Sequence, residues 1–211
     1  MTIPPAGLSV DEEERLFTAA LGKAITNWQM VEGALSGVFC NLIGARFHEA
    51  ANMAFFSVLS FEAKLGMTDA AAQSTIGSTP LWNEWSPLFN RAGRRNKRRN
   101  QLAHFMLAYD GSKRPGYRFH IRPSAFDRRT EYRWGTKPPE INGCQLTAMG
   151  NSFSKLAADM RRFVIRSAAL PLWPTELYPA SEGDPAPDAP IHKADGPIDT
   201  ESEAPPESSR E

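Results

Sequence analysis

Cysteine is nearly missing from these 211 residues: Cys40 and Cys144 stand far apart, with no CxxC spacing and no neighbouring histidine. Such a pair neither builds a zinc site nor staples a small secreted fold, so both are expected to be reduced, buried side chains. Histidine is scarce too, at four residues, and no HExxH, glycine-rich phosphate loop or paired-carboxylate constellation occurs. A long hydrophobic run is also absent. The longest, near 53–61, is far too short to span a bilayer, and the first ten residues lack the basic and apolar regions of a secretory signal. The expectation is a soluble, cytoplasmic protein with no membrane partner, no metal and no cofactor.

What is present is charge, unevenly placed. From Thr175 onward ten acids face two bases, a formal −8, whereas the preceding residues hold 22 bases and 14 acids, a formal +8. The net charge of zero therefore conceals a basic body and an acidic tail. That asymmetry points to an anionic partner for the body, to a tail that competes for the same surface, or to a tail that keeps a basic protein soluble. Residues 175–211 are rich in Pro, Ala, Ser, Asp and Glu, and are expected to be disordered.

The body reads as helices. Residues 1–10, with Pro4, Pro5 and Gly7, form a loose lead-in. Ser9 or Asp11 can cap a long helix from Asp11 to Leu42, in which Leu16, Ala20, Ala24, Trp28, Val31, Leu35, Val38, Phe39 and Leu42 recur at helical spacing and Gly44 closes the segment. Glu12, Glu13 and Glu14 suit the positive end of its dipole. Glu32 reads as a solvated flank, with an arginine of the central stretch as the alternative partner. Further helices are expected over His48–Ser60, Phe61–Ser74, Leu81–Tyr109 (with a kink or delayed start at Pro87) and Ser152–Leu170. Between about 111 and 148, Tyr117–Pro123 and Thr130–Trp134 alternate loosely and Asn142-Gly143 supplies a turn, a small β excursion. The predicted fold class is all-α: an up-down bundle of four to five helices over 11–170, with an irregular β excursion and a disordered acidic C-terminal tail.

The most unusual stretch is Asn96 to Phe105, reading Asn-Lys-Arg-Arg-Asn-Gln-Leu-Ala-His-Phe. At about 100° per residue Asn96, Asn100 and His104 share one stripe, and Leu102, Phe105, Met106 and Tyr109 fall opposite, on the expected core side. Arg99-Asn100-Gln101-Leu102-Ala103-His104 resembles the Arg-x4-6-His signature of the HEPN superfamily, in its Arg-Asn-x-x-x-His form. A Trp-x-x-Val-Glu segment (Trp28, Val31, Glu32) and a phenylalanine-rich second helix are similar to bacterial HEPN-like proteins, and the outline covers 11–170. The resemblance implies a helical bundle that dimerises, placing two motifs in one cleft. Many members are metal-independent ribonucleases, commonly toxins, which can have an antitoxin partner, or defence effectors; others only bind RNA or nucleotides. It also implies catalytic roles for Arg99 and His104.

The residue chemistry supports this. Metal-free RNA cleavage uses the 2′-hydroxyl as nucleophile and needs a proton-transfer group near neutral pH, which histidine supplies. It also needs donors on the phosphate, which the planar arginine fork supplies; Asn100 can orient His104 or donate to the phosphate. Six of the nine residues from Arg91 to Arg99 are basic, and Arg91, Arg94, Arg95, Asn96, Lys97 and Arg98 are the expected RNA-binding set. Arg95 and Arg98 fall towards the apolar side, so the helix bends near Asn96 or overhangs the bundle. Arg114, Arg118, Arg122, Arg128, Arg129 and Arg133 read as solvated surface; His48, His120 and His192 receive no role. Two alternatives stand beside the ribonuclease: a non-catalytic module holding RNA, nucleotide or an acidic protein, and a scaffold whose basic patch docks its own tail.

Overall fold

The N-terminal helix shows how directly local signals act. In the computed structural model, which describes residues 7–123 and 139–168, α1 runs from Val10 to Leu42. Ser9 caps it through a reciprocal box: its hydroxyl accepts from the Glu12 amide at 3.2 Å while the Glu12 carboxylate accepts from the Ser9 amide at 3.1 Å. Gly44, at φ 59°, takes the left-handed conformation that ends the segment. Helices α2 (His48–Ser57) and α3 (Phe61–Ile76) follow. α2 stops three residues short of the expected Ser60 because that serine caps α3, accepting from the Ala63 amide, and a cap requires extended backbone. Then come α4 (Trp82–His104), strands β1 (Phe105–Tyr109), β2 (Phe119–Pro123) and β3 (Ile141–Asn142), and α5 (Gly143–Ala168). The three strands form an antiparallel sheet in that order, with Leu107 opposite Ile121. The architecture is a helical bundle with a small sheet. The chain divides after Trp173, and the acidic tail, like the Thr130–Trp134 segment, lies outside the described residues.

The core is built on α1 and α5, the most extensively packed pair. Trp28 meets Phe61 of α3 at 4.6 Å and Phe153 of α5 at 5.2 Å, and Trp85 of α4 meets Phe163 at 5.7 Å. Both indole N–H groups find carboxylates, Glu32 for Trp28 and Asp69 for Trp85. Glu32 is neither a solvated flank nor an arginine partner: it also faces Lys64 of α3 at 3.8 Å. Leu16 is 48% exposed, and Phe17 takes the core position instead. At the α1–α5 crossing Asn27 donates to the Gly150 carbonyl at 3.0 Å, and a Cβ on Gly150 would stand 3.3 Å from the Ala24 Cα. Gly150→Leu is therefore expected to destabilise the fold by about 1–3 kcal/mol, read as a lower denaturation midpoint; an unchanged midpoint would show that the helices separate freely there.

Three further expectations are corrected. The fourth helix ends at His104, not Tyr109, because Phe105–Tyr109 pair with β2; Tyr109 and Phe119 stack at 5.1 Å. Ladder pairing outweighs the helical periodicity there, and Met106 and Tyr109 are more than half exposed rather than core. That helix also starts at Trp82 and runs through Pro87 without delay. Asn142-Gly143 is not a turn but a helix start: the Asn142 side chain accepts from the Gln145 amide at 3.0 Å and the Gln145 side chain from the Asn142 amide at 2.9 Å, so α5 begins at Gly143. Neither cysteine is in a disulfide; Cys40 is buried and its thiol is pushed up by that burial, whereas Cys144 is only half-buried.

Candidate nucleic-acid interface

Between Ala92 and Leu102, α4 buries nothing apolar. Along that length a groove of ≈ 740 Å³ opens between α4, β3 and the first half of α5. Arg94, Arg95, Lys97, Arg98 and Gln101 line one wall. Pro139, Glu140 and Ile141 line the second; Gln145, Ala148, Met149 and Ser152 of α5 complete it. This accounts for Arg95 and Arg98 on the apolar side of the helix: at their level that side faces a groove instead of the core. Arg95 is half-buried and donates from Nε to the Ser152 carbonyl at 3.2 Å. Burial, and behind it the neighbouring Arg91 and Arg94, hold Arg95 below the ordinary arginine range, with Asp159 pulling the other way. Cations crowded in this way are relieved by an anion entering the groove.

The expected RNA-binding residues separate into groups. Arg94, Arg95, Lys97 and Arg98 line the groove. Arg91 does not: it pairs with Asp159 of α5 at 2.7 Å and, with the Arg166–Glu84 pair, ties α4 to α5. Asn96 is half-buried, with a buried Oδ1 that has no hydrogen-bond partner among the described residues. Of the second arginine set, Arg114 stacks on Tyr117 at 4.3 Å and Arg122 is exposed. Arg118 departs from the solvated reading, half-buried and paired with Glu13 at 2.7 Å; Arg128, Arg129 and Arg133 lie outside the described residues.

The motif occupies the last turn and a half of α4. His104 and Asn100 are exposed; Arg99 is half-buried and donates to the Asn100 side-chain oxygen at 3.4 Å. At about 100° per residue, Lys97, Gln101 and Arg94 lie within about 80° of His104 whereas Arg98 and Arg95 lie about 120° and 180° from it, so His104 stands beyond one edge of the groove-lining residues. Arg99 lies about 140° from His104 and about 40° from Arg95, and neither Arg99 nor His104 is among the groove-lining residues.

Two contributors were not legible beforehand. Glu140, directly after the Pro138-Pro139 pair, is the one carboxylate lining the groove among the described residues, and Lys113 donates to it at 2.5 Å. Behind it His120, 3% exposed, places Nε2 3.8 Å from the Glu140 Oε1. Glu140 follows residues expected to turn, and His120 has no motif around it, so only the pairing of β2 with β3 brings them together.

Compared with known proteins, the chain matches no family model, no curated protein and no solved structure. Among the described residues no helix is long and apolar enough to cross a membrane.

Proposed function

We propose that this protein is a metal-independent endoribonuclease of the HEPN-like kind, suited to a toxin or a defence effector, that grips RNA in the α4 groove and cleaves it at His104. The observation carrying the reading is the continuity of the basic stripe with an exposed histidine on one helix side. A strand held along Arg94, Lys97 and Arg98 runs towards His104. There the 2′-oxygen attacks the adjacent phosphorus, its proton passes to the imidazole, and the bond to the 5′-oxygen breaks as that oxygen takes a proton. The products are a 2′,3′-cyclic phosphate and a 5′-hydroxyl. Arg99 and Asn100 supply the phosphate donors. Since Arg99 and His104 point apart on one helix, the clamp for one histidine comes from a second copy. The exposed Met106, Leu107 and Tyr109 directly after His104 offer the apolar surface on which two copies meet.

Purified protein is expected to cleave single-stranded RNA in excess chelator and to leave cyclic phosphate ends. RNA recovered intact across a range of protein concentrations would reject the reading. Binding should be salt-sensitive. Each of Arg94→Gln and Arg98→Gln is expected to lower the slope of log affinity against log salt by about 0.7; an unchanged slope would place the strand elsewhere. The second reading, a non-catalytic RNA-binding module, draws on Arg99 and His104 both standing outside the groove lining. Tight binding without turnover would favour it.

A further inference from the structure

Strand β1 is paired on one side only. In the order β1-β2-β3 it forms one edge of the sheet; β3 forms the other, but that strand is two residues long and leads straight into α5. The Asp110 amide donates to the Arg118 carbonyl at 2.9 Å, which sets the phase of the ladder, so Met106 and Ala108 are the β1 residues that bond to β2. Leu107 and Tyr109 therefore send their N–H and C=O groups outward, where no other strand stands among the described residues. The Phe105 amide is taken by the Gln101 carbonyl at the end of α4, while its own carbonyl faces outward with the others. The side chains are uncovered as well. Leu107 lies opposite Ile121 and Tyr109 opposite Phe119, so each shares a sheet face with a core residue, yet both are more than half exposed. Met106 is exposed on the other face of the same strand, and only a partner at the edge covers it together with Leu107. The usual protections of an edge are missing: 105–109 holds no charge, no proline and no bulge.

The geometry points to a second copy of this chain as the occupant of that edge, its β1 running antiparallel to the first about a two-fold axis at Leu107. The strand fits its own reverse. Each Leu107 amide donates to the Leu107 carbonyl of the other copy, each Tyr109 amide donates to the other's Phe105 carbonyl, and Phe105 stands opposite Tyr109. With no charge in 105–109, self-pairing along the strand sets no like charges against each other. The ends are complementary: His104, just before the strand, comes level with Asp110 of the second copy, just after it. The hydroxyl and amide of Ser112 donate to the Asp110 carboxyl and hold it below its ordinary value, so it stands there as an anion. This inference rests on the reading that two copies act together, and adds the strand and register through which they join.

The test uses the full chain. Sedimentation equilibrium over a concentration series should show a monomer–dimer equilibrium, and amide hydrogen exchange is followed at both ends of that series. The Leu107 and Tyr109 amides should exchange about tenfold more slowly in the concentrated sample, whereas Met106 and Ala108, bonded within the copy, should be slow in both. Leu107→Pro removes an amide that bonds only between copies, so the β1–β2 ladder should survive it and the dimer dissociation constant should rise about tenfold. Leu107→Lys, which sets two like charges face to face at the axis, should also weaken the dimer and does not depend on the proline being accommodated. A wild-type chain that stays monomeric throughout overturns the proposal without any variant having to fold. So does a dimer whose Leu107 and Tyr109 amides exchange freely, since the copies would then meet elsewhere. Protection of those amides that appears only on adding RNA also overturns it, assigning the edge to nucleic acid. Cleavage is read separately, by mixing Arg99→Lys with His104→Ala. A mixture that dimerises through β1 and stays inactive would sink the shared clamp and leave this inference standing. Restored cleavage from copies that join elsewhere would do the reverse.

Discussion

Replacing His104 with alanine is expected to slow RNA cleavage by about a hundred- to ten-thousandfold while leaving the fold and the RNA affinity nearly intact. The size of the loss is that of removing a positioned proton-transfer group. The stability expectation follows from place: His104 is the exposed last residue of α4, so truncation opens no cavity and strands no buried partner. The change should stay within about 0.5 kcal/mol, as at most surface sites. Affinity should hold because the groove cations, not the imidazole, carry the electrostatic attraction. Arg99→Lys is the companion measurement. A lysine keeps the charge but not the planar two-donor fork, so the rate should fall and the charge alone should not restore it. Full cleavage by His104→Ala would remove the catalytic assignment from this helix end altogether.

The parts of the molecule legible in the sequence are those governed by neighbours in the chain. The α1 cap at Ser9, its end near Gly44 and the core placement of Trp28, Trp85, Phe153 and Phe163 follow from signals a few residues apart. The basic block on one helix was equally plain. What could not be read depends on residues distant in sequence. Phe105–Tyr109 has helical periodicity until β2 offers it a ladder. Asn142-Gly143 looks like a hairpin turn until Gln145 reaches back to it. The groove lies where α4 presents arginines instead of apolar residues, and its carboxylate comes from Glu140, just before β3. The motif told where charge and imidazole lie, but not that Arg94 and Lys97 share the histidine's side of α4 better than Arg99 does.

Distance in sequence also hid the residue whose loss should cost most in stability. Glu13 reads as one of three acids complementing a helix dipole, yet it is 4% exposed. Its Oε1 accepts from the backbone amides of Arg118 at 2.6 Å and Phe119 at 3.4 Å, and its Oε2 from the Arg118 Nε at 2.7 Å. Arg118 in turn donates to the Leu8 carbonyl at 2.8 Å, so the start of α1 and the start of β2 are joined through one carboxylate. Glu13→Ala leaves a half-buried guanidinium and two amides without their acceptor, and should destabilise by about 2–4 kcal/mol, lowering Tm by about 10 °C. Arg118→Ala should cost a similar amount, and the double variant clearly less than the two together, since each single change strands the other's partner. Additive losses would show that the pair is not coupled. Acid gives a second handle. Burial pushes the Glu13 carboxyl up, but the amides of Gly116, Arg118 and Phe119 and the Arg118 guanidinium outweigh it and hold the group below its ordinary 4.5. A depressed carboxyl contributes stability that is fully present above the unfolded value and is lost as pH falls below about 4.5 towards the folded one. The wild-type chain should therefore lose stability steeply on acidification from pH 5, and Glu13→Gln, weaker at neutral pH, should lose less over the same interval. Parallel acid-unfolding curves for the two would mean that other carboxylates govern the acid limb and that the Glu13–Arg118 strap is energetically minor.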